Sequence, residues 1–175
     1  MLFTIKEIDP LVYRQQTRRS TWSIALLFVL LALTFSTLSV QLFGQPGGDN
    51  FYWNLGGVIV ALLLTIALVR QVFWSQPWMA SAVYGWQLKR SLLRITNVMH
   101  DVKAGVAAGD PLSFKLLRFY HLGVSQMHRL DGNSSDHVQM LAEIDQHKTA
   151  MQALNLPIDQ TQFDSQWLES LAKHA

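Results

Sequence analysis

Two uncharged apolar runs stand out from the pattern of the chain, residues 24–43 and 55–69, with a short polar loop between them. A helix rises about 1.5 Å per residue and needs roughly 20 apolar residues to cross a bilayer core, so the first run is long enough alone. The second reaches that length through Trp53 and Asn54 at one end and Val72, Phe73 and Trp74 at the other, with Arg70 snorkelling toward headgroups. The pattern predicts membrane spans at 22–43 and 53–74, joined by a loop at 44–52 and preceded by a cytoplasmic segment, 1–21.

After residue 74 the hydrophobic period changes. Leu88, Leu92, Ile95, Met99, Val102 and Val106 fall at alternating steps of four and three, with Arg90, Arg94, Asn97 and Asp101 opposite, which predicts one amphipathic helix with a narrow apolar seam. Asp110 and Pro111 supply an N-cap and a first-turn proline for a second helix, whose inward side is Leu112, Leu116, Tyr120, Met127 and Leu130. Gly132 is placed to end it in the left-handed conformation, and Asn133, Ser134 or Ser135 to cap a third helix with Val138, Leu141, Ile144 and Met151 inward. Pro157 closes that helix, and Asp164 caps a last short one carrying Trp167, Leu168 and Leu171. The expected fold class is all-α: a two-helix transmembrane hairpin followed by a small cytoplasmic helical bundle at 75–175.

Composition agrees with a membrane protein. Half of the 175 residues are hydrophobic and 15% are charged, against about 25% in ordinary soluble domains. The absence of cysteine excludes disulfides, thiolate nucleophiles and thiolate-bound metal. Arg18 and Arg19 before the first run suggest a twin-arginine leader, but Ser20 and Thr21 stand where its bulky apolar pair belongs. The apolar core also runs on without a small-residue cleavage pattern, and a second span follows it, so the segment reads as an anchor. Lys6, Arg14, Arg18 and Arg19 precede the first span, Arg70, Lys89, Arg90 and Arg94 follow the second, and the loop between has only Asp49. That distribution puts both termini in the cytoplasm of a multi-pass protein of the inner membrane. Arg18, Arg19, Arg70, Lys89, Arg90 and Arg94 are accordingly expected to meet the bilayer's anionic headgroups, which are nearer than nucleic acid and need no sequence reading. From Asp131 onward the charge turns acidic.

Small residues mark a helix contact. Gly57, Ala61 and Thr65 repeat every four residues, and Ala25, Ala32, Ser36 and Ser39 offer an opposing stripe on the first span, packing the hairpin on itself or joining it to a second copy. Neither span holds an ionisable side chain, which disfavours a transport path and a role as a small accessory subunit of a transporter. His121 and His128 lie seven apart, and Glu143 and His147 four apart on the next helix. Imidazole and carboxylate on facing helices can bind a divalent ion. Against that, His121 shares a stripe with Arg118 and Ser125, read as a solvated face, so neither metal nor any other cofactor is expected. Asp131 to Asp136 begins like a calcium loop but lacks its glycine and its final glutamate, and Ser125 follows Gly123 without the strand and second glycine of a nucleophile elbow. These readings favour a non-enzymatic scaffold or partner-binding protein acting through its helical bundle, with a membrane-bound enzyme using His121, His128 and Glu143 as the alternative.

The stretches "YRQQTRRS", "GGDNFYWN", "FWSQPWM", "KRSL", "KAGVAAGDP", "LRFYHLG" and "LDGNSS" together resemble the bacterial membrane family called domain of unknown function 3087. The resemblance covers nearly the whole chain. It implies the two-span layout and brings no catalytic residue with it.

Overall fold

A computed structural model describes residues 2–132 and 137–174, apart from the side chains at 137–140 and 172–174. Its elements are β1 (Leu2–Thr4), α1 (Pro10–Phe43), α2 (Phe51–Leu68), α3 (Ala80–Thr96), α4 (Met99–Ala107), α5 (Pro111–Asp131), α6 (His137–Ala153), β2 (Gln162–Asp164) and α7 (Gln166–His174). A π-helical stretch, Val69–Phe73, continues α2, and a 3-10 turn, Pro77–Met79, precedes α3. The chain divides into two compact units, one of Gln15–Val83 and one of the N-terminal stretch up to Arg14 together with Tyr84 onward.

The Gln15–Val83 unit is built on two helices long and apolar enough to cross a membrane, Pro10–Phe43 with 34 residues and Phe51–Phe73 with 23. Their most apolar windows are 0% and 17% buried, whereas the core helix of a soluble protein is mostly covered. The residues of α2 that are buried are Gly57, Ala61 and Thr65. A Cβ added at Gly57 would lie 2.5 Å from the carbonyl oxygen of Phe35 and from the nitrogen and Cα of Ser36, so the two backbones meet there. Ala25, Ala32, Ser36 and Ser39 on α1 are half-buried. Ser36 Oγ donates to Asn54 Oδ1 at 2.7 Å, and Phe43 stacks on Trp53 with ring centroids 5.1 Å apart. Asn50 ties the connecting loop: its Oδ1 accepts from the Gln45 N–H at 2.9 Å and its Nδ2 donates to the Gln45 carbonyl at 3.1 Å.

The chain is mostly helical, as expected, and the other unit adds one feature that the all-α expectation lacked, a short antiparallel ladder, Leu2↔Asp164, Phe3↔Phe163 and Thr4↔Gln162. Phe3 and Phe163 point inward from it, and Phe119 lies between them in space, stacked on Phe163 at 5.2 Å and edge-on to Phe3 at 6.3 Å. Around these rings pack Tyr84, Leu88, Leu92, Ile95, Val102, Leu116 and Leu130, all buried. The seam expected from Leu88 to Val106 does face the core, but on two helices. The chain turns at Asn97 and Val98 between α3 and α4. Ile95, Thr96, Asn97 and Val98 are β-branched or amide residues of low helix propensity, and a helix breaks most cheaply among them.

The caps of α5 lie where the sequence puts them. Asp110 accepts from the Leu112 and Ser113 N–H groups at 3.3 and 2.9 Å, and Gly132 takes φ +73°. Asp164 Oδ1 accepts from the Gln166 N–H at 3.1 Å at the start of α7. On α6 the expectation is partly wrong: Met151 is buried and Ile144 half-buried, but Leu141 is 52% exposed and His147 takes the inward position. The expected caps Asn133, Ser134 and Ser135, the inward side chain of Val138 and most of the calcium-like loop, with Asp136, lie outside the described residues.

Candidate functional site

Helices α4, α5 and α6 line a cavity of about 270 Å³ that is open to solvent; its polar lining is Lys103, His121, Glu143, Gln146 and His147 and its apolar lining is Val106, Leu117 and Ala150. Asp110, capping α5, fixes where its register begins, and from there Leu117 and His121, four apart, share the cavity side. Glu143, Gln146, His147 and Ala150 recur at steps of three and four on α6, one face of that helix.

His121 and Arg118, read from the sequence as a solvated stripe, are 5% and 7% exposed. This is a correction with a physical reason. Helix α5 is covered around most of its circumference, since Phe114, Leu116, Leu117, Phe119, Gly123 and Val124 are buried as well, so it has no broad wet face on which these two could sit. Ser125 is exposed, as a polar-face serine is expected to be.

The His147 ring stacks on Phe114 at 5.3 Å and meets His121 edge-on at 5.2 Å. Its Nε2 lies 3.1 Å from the Phe114 carbonyl oxygen. A carbonyl only accepts, so Nε2 carries the proton, and the neutral ring presents Nδ1 as an acceptor. Burial lowers the pKa of both imidazoles. For His121 it does so together with the neighbouring His147, pushing the value down to about 4, with Arg118 and Lys103 acting in the same direction and Glu143 opposing. For His147, burial and Arg118 lower the value, and the bond to Phe114 opposes them. Both rings are therefore neutral at pH 7. Arg118 donates through Nε to the Ile158 carbonyl at 2.6 Å. Burial lowers its pKa also, while Asp159 and Asp145 counter that through space. Arg118 Nη1 and His121 Nδ1 are buried without a hydrogen-bond partner among the described residues. At the cavity mouth Lys103 Nζ stands 3.5 Å from Glu143 Oε1, both side chains more than half exposed.

Of the four side chains weighed for metal, three (His121, Glu143 and His147) line this cavity, and His128 is not among its lining residues. Among the described residues no three His, Asp or Glu side chains converge closely enough to hold an ion. Lys103 and Phe114 were not picked out from the sequence, and Arg118 was read there only as part of a solvated stripe. The signal for Arg118 was present, as a lone charge one turn before a histidine in the otherwise apolar run "LLRFYHL".

Of the bases expected at headgroups, Arg18, Arg19, Arg70, Lys89 and Arg90 are exposed and Arg94 is half-buried. Lys89 pairs with Asp131 at 3.2 Å, and the Arg90 guanidinium lies over the Trp86 ring, 4.9 Å from its centroid. Trp86 and Leu93 are 44% and 61% exposed beside them on α3.

The family model described as "Protein of unknown function (DUF3087)" matches residues 3–168. The chain belongs to that family. Among curated proteins and among solved structures, nothing matches it. The DUF3087 match takes in both apolar helices and every residue lining the His121 cavity, so both features lie within the family's domain.

Proposed function

We propose that this DUF3087 chain is an integral protein of the inner membrane, spanning it twice with both termini in the cytoplasm, and that its helical unit serves by binding a partner. The observation that carries the reading is the pair of long apolar helices, whose most apolar windows are 0% and 17% buried and so want a lipid environment. The orientation is supported by bases on the outer flanks of both helices and by the base-free loop between them. Because the chain has no cysteine, one introduced at Gln45 or Asp49 is a clean probe. It should react with an impermeant maleimide added to intact spheroplasts, while one at the exposed Gln152 should react only after lysis. Labelling of the Gln152 probe from outside overturns the orientation.

The same reading gives anionic headgroups to Arg18, Arg19, Arg70, Lys89, Arg90 and Arg94. Exposed Trp86 and Leu93 beside bases on α3 support it, since an indole and a leucine flanked by cations suit the headgroup level. In the full chain reconstituted in vesicles containing anionic lipid, a nitroxide on a cysteine replacing Leu93 should be relaxed by oxygen and shielded from an aqueous nickel chelate. Free access of the chelate removes Leu93 from the interface.

A membrane-bound enzyme is the second reading, favoured by the meeting of His121, Glu143 and His147 at one cavity. A stoichiometric, tightly held transition metal that is lost in His147→Gln would promote it over partner binding.

A further inference from the structure

We infer that the open cavity lined by α4, α5 and α6 binds a small uncharged molecule carrying one hydrogen-bond donor on an apolar body of about ring size, with His147 Nδ1 as the acceptor. The inference goes beyond partner binding and holds whether or not this unit also docks on another protein. Its first support is an acceptor held ready. His147 Nε2, 3.1 Å from the Phe114 carbonyl oxygen, carries the proton of the neutral ring, which leaves Nδ1 with its lone pair. Turning the ring over would give up that bond, and the stack on Phe114 at 5.3 Å holds its plane. Nδ1 has no partner among the described residues and is not closed off from solvent, and its side chain, 6% exposed, lines the cavity. An acceptor so placed is satisfied only by a donor from outside the chain.

The charged lining selects a neutral ligand. Lys103 Nζ stands 3.5 Å from Glu143 Oε1, one base against one acid, and the remaining polar lining is Gln146 and the two histidines. An ion entering here would leave its hydration shell for walls that hold no uncommitted opposite charge, a cost that an uncharged molecule does not meet.

The apolar walls select its body. Val106, Leu117 and Ala150 line the cavity, and the His121 ring stands edge-on to that of His147 with centroids 5.2 Å apart. A dry cavity of about 150 Å³ already takes up benzene, so about 270 Å³ leaves room for a substituted six-membered ring. Water alone can donate to Nδ1 but leaves the aliphatic walls wet, whereas a ring bearing a hydroxyl or ring N–H satisfies the nitrogen and covers the walls together.

The test uses the full chain in detergent at pH 7, where a phenol is uncharged. Titrations with 4-fluorophenol, fluorobenzene and 4-fluorobenzoate are followed by fluorine NMR, with uptake by protein-free micelles subtracted. 4-Fluorophenol should bind saturably and about fivefold more tightly than fluorobenzene, the difference being one hydrogen bond. Ala150→Phe, which fills the cavity from α6, should abolish binding while leaving the thermal midpoint nearly unchanged. His147→Phe should remove the preference for the phenol over fluorobenzene. A phenol bound no more tightly than fluorobenzene overturns the proposal, as does binding that survives in folded Ala150→Phe, and both results stand even if His147→Phe does not fold. 4-Fluorobenzoate bound as tightly as 4-fluorophenol overturns the assignment of an uncharged ligand.

Discussion

Gly57→Leu is expected to be among the most damaging single changes in the apolar unit, lowering stability by about 3 kcal/mol or more. The reason lies in what a side chain there would strike. The atoms 2.5 Å from a Cβ at Gly57 are the Phe35 carbonyl oxygen and the Ser36 nitrogen and Cα, all main-chain atoms of α1. A flexible side chain can swing away from an intruder, but a helix backbone must move as a whole, taking the Ser36–Asn54 hydrogen bond and the Phe43–Trp53 stack with it. Ala61, 0% exposed one turn further along, should behave like Gly57 when changed to leucine. Leu62→Ile should be mild, because Leu62 is 47% exposed on the far side. Thermal denaturation in detergent, followed by aggregation, separates the cases. Equal midpoints for Gly57→Leu, Ala61→Leu and Leu62→Ile would show that helix packing here does not depend on close backbone approach.

The apolar helices and most caps were legible from sequence because each rests on neighbouring residues: an uncharged run, an Asp–Pro pair, a glycine after a helix. The ladder of β1 and β2 was not. Three-residue strands show no periodicity of their own, and Phe3 pairs with Phe163 across almost the full length of the chain. One practical consequence is that a fragment beginning at Ser75 would lack Phe3 and β1, leaving Phe119 and Phe163 without a ring that packs on Phe119. Lys6 and Tyr84 would be separated too, which in the intact chain are joined by the Lys6 N–H donating to the Tyr84 hydroxyl at 3.1 Å.

The candidate site was half legible for a different reason. Spacing alone drew attention to His121, Glu143 and His147, and they do meet. What misled was the assumption that a helix has one dry face, so that Arg118 and His121 had to be wet. Helix α5 is central, with α4, α6, α7 and β2 all against it. Most of its circumference is covered, so Arg118 and His121 are buried although Ser125 and Arg129 on the same helix are exposed. Leu141 errs in the opposite sense: α6 turns His147 and Met151 inward, and the leucine is left half exposed.

Acid should unfold the helical unit through that same buried pair. His121 titrates near 4 in the folded chain, against an ordinary value of 6.5, because burial and the neighbouring His147 disfavour its charged form. Between those two values the unfolded chain binds the proton and the folded chain refuses it, so stability falls as pH falls. The His121 contribution is fully present above about pH 6.5 and is lost progressively down to about pH 4, a change of about 3 kcal/mol. His147 is shifted in the same direction and adds to the loss. A second proton is harder still to accept, because two imidazolium rings 5.2 Å apart would repel each other in a site already facing Arg118. Denaturant titrations of the full chain in detergent at intervals from pH 7.5 to 4 should therefore show a falling unfolding free energy, with its steepest slope below 6.5. His121→Phe should flatten that slope even if it lowers stability at neutral pH, since a phenyl ring has no proton to gain. A slope unchanged in His121→Phe would show that the acid sensitivity arises elsewhere and that His121 is not held neutral by its surroundings.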